Sequence, residues 1–196
     1  MIRIGGFVPF SATDYPDHLS AVVFCQGCPW RCGYCHNPHL QPSRGATAIQ
    51  WNDVLRFLER RRGLLDAVVF SGGEPTMQRG LADAIAAVKA IGFKAGLHTA
   101  GIYPHRLPHL LTLLDWIGLD VKAPFDRYAS VTGVEASGAR ARRSLELVVA
   151  SGVAYELRTT VDTALLGEAE LARLEAHLPA TSVKHHVLQT CRAICT

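Results

Sequence analysis

The sequence predicts an α/β fold, an open partial (β/α)6 barrel, from two observations. Short apolar segments alternate with longer segments of helical period, which is the pattern of repeated strand–helix units around a parallel sheet. A complete eight-unit barrel typically needs ~250 residues, whereas this chain has 196 residues. Six units in a chain of this length therefore predict a barrel that stays open along one side.

Six short segments rich in apolar and β-branched residues are the predicted strands. They are Leu19–Cys25, Ala67–Ser71, Ala95–Thr99, Trp116–Val121, Val153–Val161 and Val183–Gln189. In parallel strand–helix folds the functional groups gather at the carboxyl ends of the strands. The residues that follow these six segments are therefore the first candidates for a functional site.

Helices are predicted between the strands, where apolar residues recur at helical spacing. The residues that mark the five helices are Trp51, Val54, Leu55 and Leu58; Leu81, Ile85, Val88 and Ile91; Pro108 as the opening residue of the third; Leu145, Val148 and Val149; and Leu171, Leu174 and Leu178. Gly92 is placed to end the second helix, and Gly152 follows the fourth. Glu168 and Glu170 occupy the first turn of the fifth helix, as the helix dipole favours.

Composition predicts one soluble, cytoplasmic domain that spans residues 1–196. The chain is 48% hydrophobic and 19% charged, with no apolar run long enough to cross a bilayer. Its net charge of +3 comes from 20 basic and 17 acidic residues, which is too balanced for a nucleic-acid surface. The local exception is Arg140, Arg142 and Arg143, which indicate a solvated helix face or, as the alternative, a docking patch for an acidic partner.

Three cysteines, Cys28, Cys32 and Cys35, stand in the run CPWRCGYC with the spacing C-x3-C-x2-C. Thiolates are soft ligands suited to iron and zinc, and a cubane 4Fe-4S cluster normally takes four of them, one per iron. Three local thiolates would leave one iron open to chelate a small molecule. The spacing therefore predicts one 4Fe-4S cluster that takes part in chemistry.

Two other uses of the cysteines stay open at this point. Together with Cys25 the set reads C-x2-C-x3-C-x2-C and could hold structural zinc, although the common zinc layouts separate their ligand pairs by about 12 or more residues. A disulfide framework is disfavoured because a chain of this length can bury its own core. We expect Cys25 to end a buried strand and to pack as a small apolar residue.

Glycines and polar residues follow the second and third predicted strands. In the run SGGEP, Gly72 and Gly73 are expected to let a ligand approach the backbone closely. Glu74 is expected to help hold an ammonium group or a ribose. Thr99 and Gly101 lie at the end of the third predicted strand. These positions predict that the site continues across neighbouring strands.

Charged residues stand at the fourth and fifth predicted strands. Asp120 and Lys122, at positions i and i+2, point to the same side, where they could bind an ammonium and a carboxylate or pair with each other. Arg158 could bind a carboxylate or a ribose, or close a salt bridge inside the barrel. The convergence of these independent signals at one rim predicts a cofactor site.

The motifs CPWRCGYC, SGGEP and LDVK resemble those of the radical S-adenosylmethionine (SAM) enzymes, and the resemblance covers nearly the whole chain. Within that superfamily the chain is most similar to the activating enzymes of glycyl-radical proteins. The anaerobic ribonucleoside-triphosphate reductase activating proteins, in which GC-x3-C-x-YCHNP is a typical loop, are the most similar group. Pyruvate formate-lyase activase is similar too. The opening segment GGFVPFSATDYPDHLSAVVF also resembles that group, where an N-terminal segment runs into the first strand.

This resemblance implies an oxidoreductase with two cofactors, a 4Fe-4S cluster and SAM. Cys28, Cys32 and Cys35 would bind the cluster. SAM contacts would come from Tyr34, His36, Gly72, Gly73, Glu74, Thr99, Asp120, Lys122 and Arg158. One electron from a flavodoxin-like donor would cleave SAM to methionine and a 5′-deoxyadenosyl radical. That radical would take hydrogen from a backbone glycine of a partner, anaerobic ribonucleotide reductase being the first candidate, and no side chain would act as acid or base.

Three alternatives remain beside this interpretation. They are a small-molecule radical SAM synthase such as a 7-carboxy-7-deazaguanine synthase-like enzyme, a pyruvate formate-lyase activase, and an electron carrier or iron–sulfur scaffold. The sequence also departs from the activases at one place, because His98-Thr99-Ala100-Gly101 stands where they often have Asp-Thr-Asn-Gly. Cys191 and Cys195 have no assigned role.

Overall fold

The structure, a computed structural model, describes residues 1–44, 49–178 and 185–191. Within these residues seven strands form one sheet in sequence order. They are β1 Ile4–Ser11, β2 Ser20–Cys25, β3 Ala67–Gly72, β4 Lys94–Thr99, β5 Trp116–Asp120, β6 Ala154–Val161 and β7 His186–Thr190. Strands β2 to β7 are parallel, and β1 runs antiparallel to β2. No pairing joins β7 to β1 in the described part, so the predicted open partial barrel is confirmed.

The predicted strands match β2 to β7, with ends that agree or differ by one residue except at the start of the last strand. The predicted start of the last strand, at Val183, lies outside the described residues. The sequence did not predict β1 as a strand, because its segment IGGFVPFS contains two glycines and a proline, which are poor strand formers. Pairing with β2, interrupted by two register shifts, is what makes this segment a strand.

Helices connect the parallel strands, as predicted. They are α1 Trp51–Glu59, α2 Leu81–Ala90, α3 Leu107–Leu111, α4 Tyr128–Thr132, α5 Ser137–Ala150 and α6 Glu168–His177, with short 3-10 helices at Pro38–Leu40, Pro75–Met77 and Phe125–Arg127. Helix α4 and the 3-10 helices were not predicted, since segments this short carry little periodicity. Gly92 and Gly152 take left-handed φ values of +95° and +76° after α2 and α5.

Apart from a small cluster around Tyr15 and Trp116, two apolar clusters hold the described fold together. The larger one fills the space between the sheet and its helices, with Phe70, Leu97 and Ile117 among its fully buried members. The second lies under the cysteine loop and includes Trp30 and Tyr128, whose rings pack edge to face at 5.9 Å. The first cluster fixes the sheet, and the second fixes the loop that follows β2.

The amino end of the sheet is covered by the segment between β1 and β2. Tyr15, which is 6% exposed, packs against Trp116 with ring centroids 5.3 Å apart. A Cβ atom on Gly96 would lie 3.0 Å from the Tyr15 ring, so the absence of a side chain there lets the ring enter the barrel. Aromatic packing therefore occupies this end.

The arginines near the start of α5 are solvated and partly paired within the helix. Arg142 and Arg143 approach Glu146 at 3.9 and 3.1 Å. This arrangement agrees with the interpretation of the run as a solvated face.

None of the helices in the described residues combines the length and the apolar character needed to cross a membrane.

Candidate functional site

The loop after β2 carries the three cysteines and is anchored at several points. It turns at Gly27, whose φ of +106° lies in the left-handed region that favours glycine. The backbone N–H of Cys28 donates to the Gln41 carbonyl at 2.9 Å, and that of Arg31 donates to the Thr132 carbonyl at 2.8 Å. The cysteine loop is thereby held both to its own later residues and to α4.

The three cysteines are half-buried and line one pocket of about 200 Å³ at the carboxyl end of the sheet. The other lining residues are Trp30, Tyr34, His36, Asn37, Ser71, Gly72, Gly73, His98, Thr99, Ala100, Asp120, Lys122, Arg158 and Thr160. The structure therefore brings Cys28, Cys32 and Cys35 together with the other predicted site residues, except for Glu74.

Burial controls the chemistry of two of the three thiols, Cys28 and Cys32. It raises the pKa of Cys28 to about 12. It also raises the pKa of Cys32, although the ammonium of Lys122 opposes this effect. Such thiols stay protonated without a cation, but a coordinated metal supplies positive charge and deprotonates them outright. The surroundings therefore suit metal ligands better than free nucleophiles.

The arrangement of the thiols fits a cluster and does not fit a single metal ion. Among the described residues, no three Cys, His, Asp or Glu side chains come close enough to hold one ion. Cys25 is fully buried at the end of β2 and does not line the pocket, so the four-cysteine zinc interpretation does not fit. Three thiols that share a pocket without meeting at a point fit a 4Fe-4S cluster, in which each thiolate binds a different iron.

The two glycines of SGGEP line the pocket, but their lack of a side chain serves the protein's own packing. Gly72 has a φ of +107°, and a Cβ atom there would lie 2.5 Å from the backbone nitrogen of Cys25. A Cβ atom on Gly73 would collide with the carbonyl oxygen of Gly27. The need for glycine at these two positions therefore has a second explanation besides making room for a ligand. Both residues are in close contact with β2 or the cysteine loop.

Glu74 lies beneath the pocket and is fully buried. Its Oε1 accepts hydrogen bonds from the Thr76 backbone N–H at 3.0 Å and from the Thr76 and Thr99 hydroxyls, each at 2.6 Å. Its Oε2 accepts from the Ala100 backbone N–H at 3.0 Å. The predicted contact of Glu74 with a ligand is not what this geometry provides, because the carboxylate is already bonded and joins the SGGEP loop to the end of β4. Thr99 donates one of these hydrogen bonds and also lines the pocket.

Asp120, the last residue of β5, lies between two cations, Lys122 just after β5 and Arg158 within β6. Its Oδ2 is 3.2 Å from Lys122 Nζ, and its Oδ1 is 3.2 Å from Arg158 Nη2. Burial alone would raise the pKa of Asp120, but the charges of Lys122 and Arg158 outweigh it and lower the pKa. Lys122 Nζ also lies 5.5 Å from the centre of the Tyr34 ring. The ion pair between Asp120 and Lys122, which was one of the predicted alternatives, is present. Arg158 forms a second ion pair with Asp120.

His98 and Thr160 are pocket residues that the sequence reasoning did not propose as ligand contacts. The Nε2 atom of His98 lies 2.8 Å from the Asp14 carbonyl oxygen and 3.2 Å from Arg158 Nη1. Burial, followed by the charge of Arg158, lowers the pKa of His98 to about 4, so the ring is neutral at pH 7. Thr160 could have been found from its i+2 spacing to Arg158, which places both on one side of β6.

Buried polar atoms without partners mark where a ligand fits. Trp30 Nε1, Tyr34 Oη and Arg158 Nε have no hydrogen-bond partner among the residues that the structure describes. A buried donor left unpaired costs about 1–3 kcal/mol. Because all three side chains line the pocket, the site has unused hydrogen-bonding capacity beside the cysteines.

The chain matches the family model of the radical SAM superfamily over residues 22–176. It is 33% identical to MJ1227 of Methanocaldococcus jannaschii, which is named as a glycyl-radical enzyme activating enzyme, over 86% of this chain and 72% of that protein. It is 33% identical to the pyruvate formate-lyase-activating enzyme of Clostridium pasteurianum over 68% of this chain. The pyruvate formate-lyase 1-activating enzyme of Escherichia coli K12 is 30% identical over 67% of it. The chain spans 58% and 57% of the lengths of these last two relatives.

Solved structures share the fold at low sequence identity. SuiB of Streptococcus suis bound to S-adenosylmethionine superposes with a TM-score of 0.66 at 16% identity, over 87% of this chain and 40% of that one. QueE of Escherichia coli superposes with a TM-score of 0.52 at 15% identity, over 96% and 93%. At this identity the likeness establishes the fold alone.

Proposed function

The chain belongs to the radical SAM superfamily, and on that basis we propose that it activates a glycyl-radical enzyme. The observation that carries the proposal is the single pocket where three cysteine thiols face the SGGEP loop and the Asp120–Lys122 pair. The identity of 33% to a protein named as such an activating enzyme, over 86% of this chain, supports the same activity.

The cofactors are one 4Fe-4S cluster and SAM, as in other members of the superfamily. When bound, they supply the one-electron cleavage of SAM to methionine and a 5′-deoxyadenosyl radical. In the proposed arrangement Cys28, Cys32 and Cys35 hold three irons. The protein positions the reactants and excludes water, which are the contributions that matter when a carbon radical attacks the nearest C–H bond.

The charges at the end of β5 and within β6 suit the amino-acid part of SAM. Asp120 carries one negative charge, whereas Lys122 and Arg158 carry two positive charges beside it. The excess positive charge favours a bound carboxylate, and Asp120, whose side chain is 34% exposed, can accept a hydrogen bond from an ammonium group. Gly73 offers backbone groups, and Tyr34, His36, Gly72 and Thr99 complete the proposed SAM contacts. Glu74 acts from below as a positioning residue.

The proposed partner is an anaerobic ribonucleotide reductase, and the proposed electron donor is flavodoxin-like. The cysteine loop CGYCHNP supports this partner because it resembles the typical loop of that activase group. Pyruvate formate-lyase is the second candidate, favoured by the relatives named as its activating enzymes.

Electron paramagnetic resonance tests the function directly. The anaerobically reconstituted enzyme is mixed with SAM, a chemical reductant and an anaerobic ribonucleotide reductase, and in a parallel sample with pyruvate formate-lyase. A glycyl-radical doublet in one sample assigns the partner. Released 5′-deoxyadenosine without a doublet in either sample contradicts the proposed activation and directs the search to small-molecule substrates. If neither signal appears although the cluster is intact, the enzymatic interpretation itself is wrong.

A further inference from the structure

The cysteine loop lies in a stretch of the chain that has no acidic residue. The chain has 17 Asp and Glu among 196 residues, about one in twelve, yet none falls between Asp17 and Asp53. This stretch of 35 residues contains the whole cysteine loop together with Arg31 and Arg44. The loop therefore contributes a positive charge to the surface, because it contains arginines and no carboxylates.

The fold adds two further arginines to this surface. The side chain of Arg3 donates to the Ser43 carbonyl, next to Arg44. Gln78 connects the same region to Arg79, because its Oε1 accepts from the Arg3 backbone N–H at 3.1 Å and its Nε2 donates to the Gln26 carbonyl at 2.7 Å. We name Arg3, Arg44 and Arg79 the basic rim.

Arg44 and Arg79 are exposed and lack carboxylate partners. No Asp or Glu in the described residues lies within ion-pair distance of either one, and every Asp and Glu of the chain is among the described residues. Some other surface arginines do have such a partner; for example, Arg173 pairs with Asp126 at 2.6 Å. Charges that no internal partner neutralises produce a field that attracts an oppositely charged partner.

The rim lies against the outside of the cysteine loop. A Cβ atom on Gly27, the residue before Cys28, would lie 3.4 Å from Ser43 Cα and 3.2 Å from Met77 Sδ. Ser43, which precedes Arg44, and Met77, two residues before Arg79, thus pack directly behind the first cluster ligand. None of the rim arginines lines the pocket, so a protein bound at the rim would leave the pocket free for SAM and substrate.

We propose that the basic rim is the docking surface for a small acidic protein that donates one electron. This inference rests on the proposed function and adds to it the place where the donor binds. With a flavin donor, the anionic hydroquinone is oxidised to the neutral semiquinone, and the 4Fe-4S cluster is reduced from the 2+ to the 1+ state. One electron moves, and no proton or bond changes place. Electrostatic attraction raises the rate of encounter and weakens as salt screens it.

A second group of arginines provides a matched control. Arg60, Arg61 and Arg62 are exposed at the end of α1. The backbone of Arg62 forms an isolated β-bridge with Leu65, just before the amino end of β3. This group therefore lies at the opposite end of the sheet from the cysteine loop. It has similar charge and exposure but no access to the cluster site.

The test compares two double variants of the reconstituted enzyme, Arg44→Glu with Arg79→Glu, and Arg60→Glu with Arg62→Glu. Stopped-flow absorbance follows the oxidation of flavodoxin hydroquinone by each enzyme at several salt concentrations. We expect the rim variant to react about tenfold more slowly at low salt, with little remaining salt dependence, and the control variant to react like the wild type. Dithionite should reduce all three enzymes and drive SAM cleavage equally.

Several results would overturn the docking proposal. One is an equal rate for both double variants, whether slowed or unchanged. Another is a rim variant that keeps the wild-type rate with flavodoxin but loses binding to a single-stranded oligonucleotide, which would make the rim a nucleic-acid surface. If dithionite fails to drive SAM cleavage in the wild type, the proposed function fails instead. Flavin oxidation still reports on docking in that case, so the two failures are distinguishable.

Discussion

The two ends of the sheet are built from the same strands but differ in chemistry. At the amino end, Tyr15 and Trp116 pack ring against ring and are almost fully buried. At the carboxyl end, Asp120, Lys122 and Arg158 form a charged group beside half-buried thiols. Apolar burial stabilises a fold, whereas buried polar atoms without partners destabilise it until a ligand binds. The difference indicates that stability is concentrated at one end and ligand binding at the other.

Cysteine substitutions should give the largest effect and test the carboxyl end. We expect Cys32→Ser to lose the 4Fe-4S cluster and SAM cleavage to background, because one of the three pocket thiolates is removed. Iron content, visible absorbance and 5′-deoxyadenosine release are the measurements.

Cys25→Ala is the matched control for this prediction. Cys25 is fully buried on β2, and burial raises the pKa of its thiol to about 12, so we expect the cluster to be retained. Loss of the cluster in Cys25→Ala would instead show that Cys25 is a fourth ligand, which would contradict the geometry described above.

The next effect should appear at the amino end. We expect Trp116→Ala to lower the free energy of unfolding by about 3–5 kcal/mol, because a buried aromatic side chain is replaced by a cavity. The variant should still take up iron at a temperature where it is folded. Urea unfolding measures the first quantity, and iron content per protein measures the second. If folded Trp116→Ala takes up no iron, the two ends are not separable.

The smallest effect should come from His98, which joins the two ends through Asp14 and Arg158. Its pKa in the folded protein is about 4, below the ordinary value of 6.5, because of burial and then Arg158. The unfolded chain therefore binds more protons between these values, and stability falls as pH falls from 6.5 to 4. The full loss from this residue is about 3 kcal/mol.

A variant that cannot titrate isolates this contribution. In His98→Gln, the decrease in the free energy of unfolding between pH 7 and pH 4 should be smaller than in the wild type. Urea unfolding of both proteins at the two pH values provides the comparison, and other groups that titrate in this range are common to both. An identical decrease would show that His98 does not link pH to stability.

Patterns within the chain were sufficient to predict the parallel sheet and the grouping of the three cysteines in one pocket. The strands β2 to β5 are mostly apolar and buried, so their composition indicates them. Strand β6 has only two buried residues and is indicated instead by its β-branched residues. The spacing of Cys28, Cys32 and Cys35 is local, and a loop that short keeps its ligands together. The rule that functional groups gather at the carboxyl ends of parallel strands then placed Asp120 and Lys122 near the cysteines.

Contacts between distant parts of the chain decided the rest. The segment of β1 is a strand because β2 pairs with it, not because of its own propensity. Glu74 faces inward because Thr99 and Ala100, about 25 residues away, supply its hydrogen bonds. Gly73 is needed where the carbonyl of Gly27 approaches it. Propensity and spacing are local properties of the sequence, whereas hydrogen-bond partners and close packing depend on which segments the fold brings together.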